Sequence, residues 1–415
     1  MLKLLNKTIF HQQFQKLSIY GFGQLFNLVT PLLVVPYIVS ICGEENFGKT
    51  AVGMAICFFL IVFIDFGSDI IGVREVAVNR DNHKELNKIF TTTYAVKALI
   101  LVIVLISTSV LISTIPFFKT EKTMFFLGLS VLVGQFLNPT WFLQGIENVK
   151  WITLLNILSK TIYLIAIYIT INQESDYVFV NLWWGIGMII SNLFVFLLIL
   201  KEYKFSFSQI SISDVRKHIN NDFSIFSSQI FVSLQLYAPV VVISLLGSNL
   251  MAGQYRIVEQ IIVIFKTYIF LFFNYIFPKV CYLLEVDPKR GIKNWRIYNG
   301  VNFIFVILGM GLFFSFSYEI VSYFNPTNRY VLSRLLEVAV LIPILLAISI
   351  PLKQLILGYN FKIFYVRLTS IMVIFNLLAI VFLLPYYQVY GVFYSLIATD
   401  LIIIFFYLYK LKNKL

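Results

Sequence analysis

Within the apolar run 253–278, Arg256, Glu259, Lys266 and Asn274 fall inside an arc of about 80° when successive residues are turned by 100°. One polar stripe of this kind could hold an anion, donate and accept hydrogen bonds, and carry a proton or a small cation. Ionisable groups at the centre of a membrane helix cost about 2.5–3.5 kcal/mol each on insertion scales, so each is a functional candidate by default. The same spacing also allows a purely local arrangement, with Arg256 and Glu259 paired one turn apart and Lys266 bonded to a neighbouring helix. Lys160 raises the same question more sharply. It lies about eleven residues into another apolar run, too deep for its stem to carry the ammonium to water. It must face a cavity or an internal partner such as Asp400.

Uncharged polar residues recur at helical spacing in two further runs: Tyr20, Gln24, Asn27 and Pro31 in the first, and Ser224, Ser228 and Gln235 in the seventh. Such stripes suit sugar hydroxyls in a cleft, or hydrogen bonds between helices. Asp65-Phe66-Gly67 is followed by Asp69, Arg74 and Glu75. The kinase reading of this triplet fails, because the accompanying strand, catalytic loop and glycine-rich loop are absent. The group reads as a gating cluster that includes Asp65 and Arg74, or as a helix-end charge network. Asp65, Glu259 and Asp400 are the carboxylates inside or at the ends of apolar runs that could bind H+ or Na+. Lys97, Lys353 and Arg367 lie near a membrane boundary, where long side chains snorkel. Arg334 and Glu337, one turn apart, read as a local pair.

The elements that must position these residues are long apolar helices. Hydrophobic residues make up 59% of the chain and charged residues 13%, and the mean hydropathy is +0.86. Soluble domains hold about 45–50% apolar and about 25% charged residues. Roughly 20 apolar residues cross a bilayer core, and about twelve such spans can be placed: 17–41, 48–68, 89–113, 123–144, 149–171, 177–200, 222–246, 253–278, 298–322, 333–357, 361–384 and 389–409. Transmembrane barrels need alternating strands, and nearly continuous apolar runs such as Ile157 to Ile171 argue against them. The net charge of +12 is distributed by topology. One set of alternate loops holds 21 Lys and Arg residues and the other holds 4, which places both termini in the cytoplasm and leaves no role for nucleic acid. The first apolar run is too long for a signal-peptide core and lacks a small-residue cleavage pattern, so the first helix is expected to persist. Cys42, Cys57 and Cys281 lie at different depths and form neither a disulfide framework nor a metal site.

No loop is long enough for an extramembrane catalytic domain, and the GxxxxGK[ST] phosphate loop is absent. No cofactor is implied. The longest polar connection, 201–221, separates two stretches with weak internal similarity: Ile41-Cys42-Gly43 and Phe47-Gly48 against Leu245-Leu246-Gly247 and Ala252-Gly253, with Pro36 against Pro239. Six spans per copy would give both copies the same orientation, with a transport site between them. The expected organisation is a lobe over 1–200, a cytoplasmic linker over 201–221 and a second lobe over 222–415.

Leu28 to Arg80, with Pro31, Pro36-Tyr37, Gly43, Phe47-Gly48, Asp65-Phe66-Gly67 and Arg74-Glu75, resembles the N-terminal signature of O-antigen flippases of the Wzx type. Asn138-Pro139-Thr140-Trp141-Phe142-Leu143-Gln144-Gly145, followed by Lys150 and Lys160, resembles their fourth and fifth helices. These flippases belong to the multidrug/oligosaccharidyl-lipid/polysaccharide exporter superfamily. The resemblance covers the chain in length and span count, and its specific motifs lie in the first 160 residues. It implies an all-α integral membrane protein of the bacterial cytoplasmic membrane, with two six-helix lobes in a V related by a pseudo-two-fold axis along the membrane normal. It further implies alternating access that moves undecaprenyl-pyrophosphate-linked sugar repeats outward, with membrane lipid and other polysaccharide assembly proteins as partners. A doubly negative headgroup and a glycan would call on Lys160, Lys266, Arg256, Gln24, Asn27, Asn274 and Gln235. Two alternatives stay open: a drug or cation antiporter of the same fold, which should have an acidic cavity, and a membrane polymerase or glycosyltransferase, which should have a large outer loop.

Overall fold

The computed structural model describes the backbone of residues 2–207, 210–412 and 414, with side chains described for residue 23 and from residue 26 onward within those ranges. Among the described residues every regular element is a helix, as the composition requires. Eleven helical segments are long and apolar enough to cross a membrane. The first, Phe26–Asp65, holds two of the expected spans, because Gly43 (φ 79°, ψ 165°) leaves helical space in its middle. The remaining ten are numbered here as spans three to twelve: His83–Thr114, Lys122–Gly145, Val149–Thr170, Glu174–Tyr203, Ile212–Leu246, Asn249–Val286, Pro288–Ser315, Arg329–Gly358, Lys362–Tyr387 and Val389–Leu411. Only this fold class lets every backbone amide in lipid find a partner within its own segment.

Two spans are broken where proline dictates it. In the fourth span the helix ends at Phe136 and resumes at Thr140, because Pro139 supplies no amide proton and pushes Asn138 away from helical backbone angles. The Asn138 Oδ1 atom then accepts the Thr140 amide at 3.0 Å and the Thr140 hydroxyl. In the tenth span, Arg329–Ala339 and Leu341–Gly358 meet at Val340. Pro343, four residues after Ala339, cannot donate to that residue's carbonyl.

The chain divides into two compact units, one of Met1–Cys42 and Lys49–Tyr237, the other of Gly43–Gly48 and Ala238–Leu415. The first is held by an aromatic core in which Phe90 touches Tyr94, Trp141, Phe142, Phe196 and Phe205 with ring centroids 4.7–5.9 Å apart. In the second, Ile276, Val280 and Leu284 of the eighth span pack with Leu352, Leu355 and Ile356 of the tenth and with Leu368, Met372 and Tyr407.

The glycines paired by the internal similarity, Gly48 and Gly253, lie against each other in the second unit. A Cβ on Gly48 would stand 1.8 Å from the Asn249 carbonyl oxygen, and one on Gly253 would stand 2.1 Å from that of Glu44. Two helix backbones therefore touch here with no room for a side chain. The carboxylate of Glu44 accepts the amide of Thr327 in the same unit.

Candidate functional site

Lys160 sits midway along the fifth span and is buried, at 9% exposure. Its ammonium lies 3.2 Å from the centroid of the Trp184 ring, contributed by the sixth span. Trp184 is held in place by Tyr163, 5.1 Å away and one turn beyond Lys160, and by Phe58 at 5.8 Å. Phe58 in turn meets Tyr237 at 5.6 Å. The sixth span can approach closely because Gly187 lies on the Ser159 carbonyl, where a Cβ would stand only 2.5 Å away. Among the described residues no carboxylate pairs with Lys160. A π face offers a cation about 2 kcal/mol when water is excluded, against several kcal/mol of desolvation per buried ion. An anion entering here would offset that cost.

A second polar cluster forms at the end of the second span. The carboxylate of Asp65 receives Lys97 at 3.1 Å and the amide of Gln135 at 3.0 and 2.8 Å. Asn138 donates to Gln135 at 3.3 Å, which ties the break in the fourth span into the same network. Lys97 is 1% exposed, so the expectation that it snorkels to water is overturned. Its position near a helix end suggested an exit to water, whereas a carboxylate 32 residues away holds it inside. Phe66 and Gly67 both have positive φ, 43° and 83°, which stops the helix directly after Asp65. Phe66 then stacks on Phe226, with centroids 4.5 Å apart. Beyond the turn, Gly72 meets Trp141 and Val76 meets Gly145. The two segments that carry the family resemblance thus pack on one another within the first unit.

The remaining candidates separate clearly. Arg256 and Glu259 pair at 2.6 Å, one turn apart. Lys266 and Asp400 face each other through space without closing an ion pair. Asn274 and Gln235 are exposed, Asn27 is half-buried, and Gln24 lies outside the residues whose side chains are described. Arg74 is exposed and acts on Glu75 beside it. Burial raises the Glu75 carboxyl above its usual range, opposed by Arg74 and Lys217. Asp69 is raised as well, by removal from water and then by Asp65, although Gln229 donates to it at 2.7 Å. Arg334 and Glu337 form the expected local pair at 2.8 Å. Glu75, Lys88, Asp214, Lys217 and His218 line a polar hollow of about 230 Å³, in which Lys88 bonds Asp214 at 2.8 Å.

Residue spacing did not point to Trp184 or Gln135, and only their three-dimensional partners mark them. Among the described residues no group of three or more His, Cys, Asp or Glu is gathered for a metal, and the three cysteines form no disulfide.

The profile of the polysaccharide biosynthesis protein family matches residues 14–281. A protein of Escherichia coli K12, provisionally named an O-antigen transporter, is 23% identical over 266 residues, which is 64% of this chain and 64% of that relative's length. A Shigella dysenteriae protein with the same provisional name is 22% identical over 388 residues, 93% of this chain and 96% of that one. Among solved structures, the lipid II flippase MurJ in an inward closed conformation superposes with a TM-score of 0.74 at 14% identity, covering 95% of this chain and 87% of that one. At that identity the likeness concerns the fold.

Proposed function

The chain belongs to the polysaccharide biosynthesis protein family, and from that premise we propose that it is a flippase for undecaprenyl-pyrophosphate-linked O-antigen repeat units. It is a multi-pass membrane transporter and not an enzyme. In this reading it lies in the bacterial cytoplasmic membrane with both termini in the cytoplasm, as the loop charges favour. By alternating access it takes its lipid-linked sugar from the inner leaflet to the outer.

The observation that carries the proposal is Lys160, a buried ammonium on Trp184 with no carboxylate partner among the described residues. Such a group is stabilised when an anion arrives, because the desolvation already spent is then offset by a charge-assisted hydrogen bond. A pyrophosphate is such an anion, and the aromatic side chains around Lys160 offer apolar faces to sugar rings. Lys266 supplies a second cation, with Asp400 opposite it as the candidate group for H+ or Na+ coupling. Arg256, Asn274, Gln235, Asn27 and Gln24 are assigned to the sugar, and Asp65, Glu259 and Arg74 to gating. Other polysaccharide assembly proteins are the proposed partners. A drug or cation antiporter should have an acidic cavity, whereas Asp65 and Glu259 are both bonded to cations and Asp400 lies within the influence of Lys266.

Deletion of the gene tests this reading. Lipid-linked repeats should accumulate on the cytoplasmic side, and the intact gene should clear them while Lys160→Met and Lys266→Met should not. If deletion leaves leaflet crossing normal and single repeats merely fail to polymerise, the flippase reading is wrong.

A further inference from the structure

The ninth span carries a stripe that changes character along its length. Lys289, Lys293 and Arg296 follow one another at spacings of four and three residues, and the same progression continues through Gly300 to Phe303. On a helix these five positions share one face. The first three are exposed cations. From Arg296 onward the face opens into a hollow of about 410 Å³, lined also by Trp295, Ala347, Pro351 and Leu408. That volume lies within the roughly 300–1,000 Å³ of small-molecule sites. The space comes from small residues. Gly300 has nothing within 4 Å of where a Cβ would stand, and Ala347 fills the tenth-span side with a single methyl. The wall is braced by Trp295, whose indole N–H donates to the Pro351 carbonyl at 3.0 Å.

Arg296 to Phe303 is seven residues, a rise of about 10 Å. With the ninth span crossing a bilayer from its basic end, the cations would stand at headgroup level and the hollow at the level of the first methylenes. Cations above and an apolar slot below match a ligand with a negative head and a hydrocarbon tail. We propose that this groove is a binding site for an anionic glycerophospholipid of the surrounding leaflet, its phosphodiester on Arg296 and Lys293 and one acyl chain in the slot between the ninth, tenth and twelfth spans. The occupant is a resident lipid, and the site is separate from Lys160 and independent of the cargo proposed above. Lipid held here would brace the ninth span against the tenth.

The full-length protein in a neutral detergent, titrated with phosphatidylglycerol and with phosphatidylcholine of the same chains and followed by native mass spectrometry, tests the assignment. Phosphatidylglycerol should bind at least about fivefold more tightly, the value of one juxtamembrane cation. Arg296→Gln should reduce that preference and Arg296→Gln combined with Lys293→Gln should abolish it, while Lys84→Gln, another exposed basic residue, should preserve it. Gly300→Leu should fill the slot and weaken both lipids. If Gly300→Leu does not fold, Arg296→Gln, checked by circular dichroism, decides alone. Equal affinity for the two lipids, an unchanged preference in folded Arg296→Gln, or displacement of phosphatidylglycerol by equimolar polyprenyl phosphate would overturn the proposal.

Discussion

Removing the charge from Lys160 should separate transport from stability. Its ammonium is buried on Trp184 with no carboxylate partner among the described residues, so Lys160→Met relieves desolvation and is expected to melt at or above the wild-type temperature. The same variant should lose transport by about tenfold or more, the worth of one hydrogen bond to a charged group. Asp65 and Lys97 should behave in the opposite way. Breaking that buried pair from either side, by Asp65→Asn or Lys97→Met, should cost about 3–5 kcal/mol, and the double substitution should recover much of it. A double-mutant cycle in chemical denaturation measures both. Lys160 was legible in the sequence, because depth inside an apolar run depends only on counting residues. The burial of Lys97 was not. Its partner lies 32 residues away, and the pairing exists only once the second, third and fourth spans have packed.

At the scale of elements, the turn after Asp65 and the break before Thr140 form one assembly. Gly67 holds φ at 83°, so Gly67→Ala should destabilise by about 1–2 kcal/mol, the strain of a left-handed residue bearing a Cβ. The contact between Gly48 and Gly253 is less forgiving, since each would press a Cβ into backbone. Gly253→Val should lower the melting temperature more than Gly67→Ala does. The segment between these helices also sets a pH response. Asp69 and Glu75 both have carboxyls raised above their usual ranges, chiefly by burial. A carboxyl raised in the folded state binds its proton more tightly there than in the unfolded chain. Stability should therefore fall as pH rises from the ordinary carboxylate values through the raised ones, and be greatest below both. The combined Asp69→Asn and Glu75→Gln variant should show a flatter melting temperature across that window. Span positions were legible from hydropathy, since length and composition alone decide them. The Asn138-Pro139 break was legible only as a motif, and its purpose, to hand Gln135 to Asp65, needed the packed structure.

For the whole molecule, charge placement and chemistry converge. Basic residues concentrate on one set of loops, 21 against 4, leaving only a few cations at bilayer depth. Of these, Lys97, Arg256 and Arg334 are spent on carboxylates. Among the described residues Lys160 is bonded to no anion, which is why it is the residue proposed to receive the phosphate. Sequence patterning was sufficient for the class of fold, whereas it could not distinguish cations that stabilise the protein from those left for a ligand. The most direct measurement reconstitutes the protein in vesicles with a short-chain polyprenyl-pyrophosphate sugar and follows its passage between leaflets. Wild-type protein should move it, and Lys160→Met, correctly folded, should slow that movement by about tenfold or more. Undiminished movement by Lys160→Met would contradict the account.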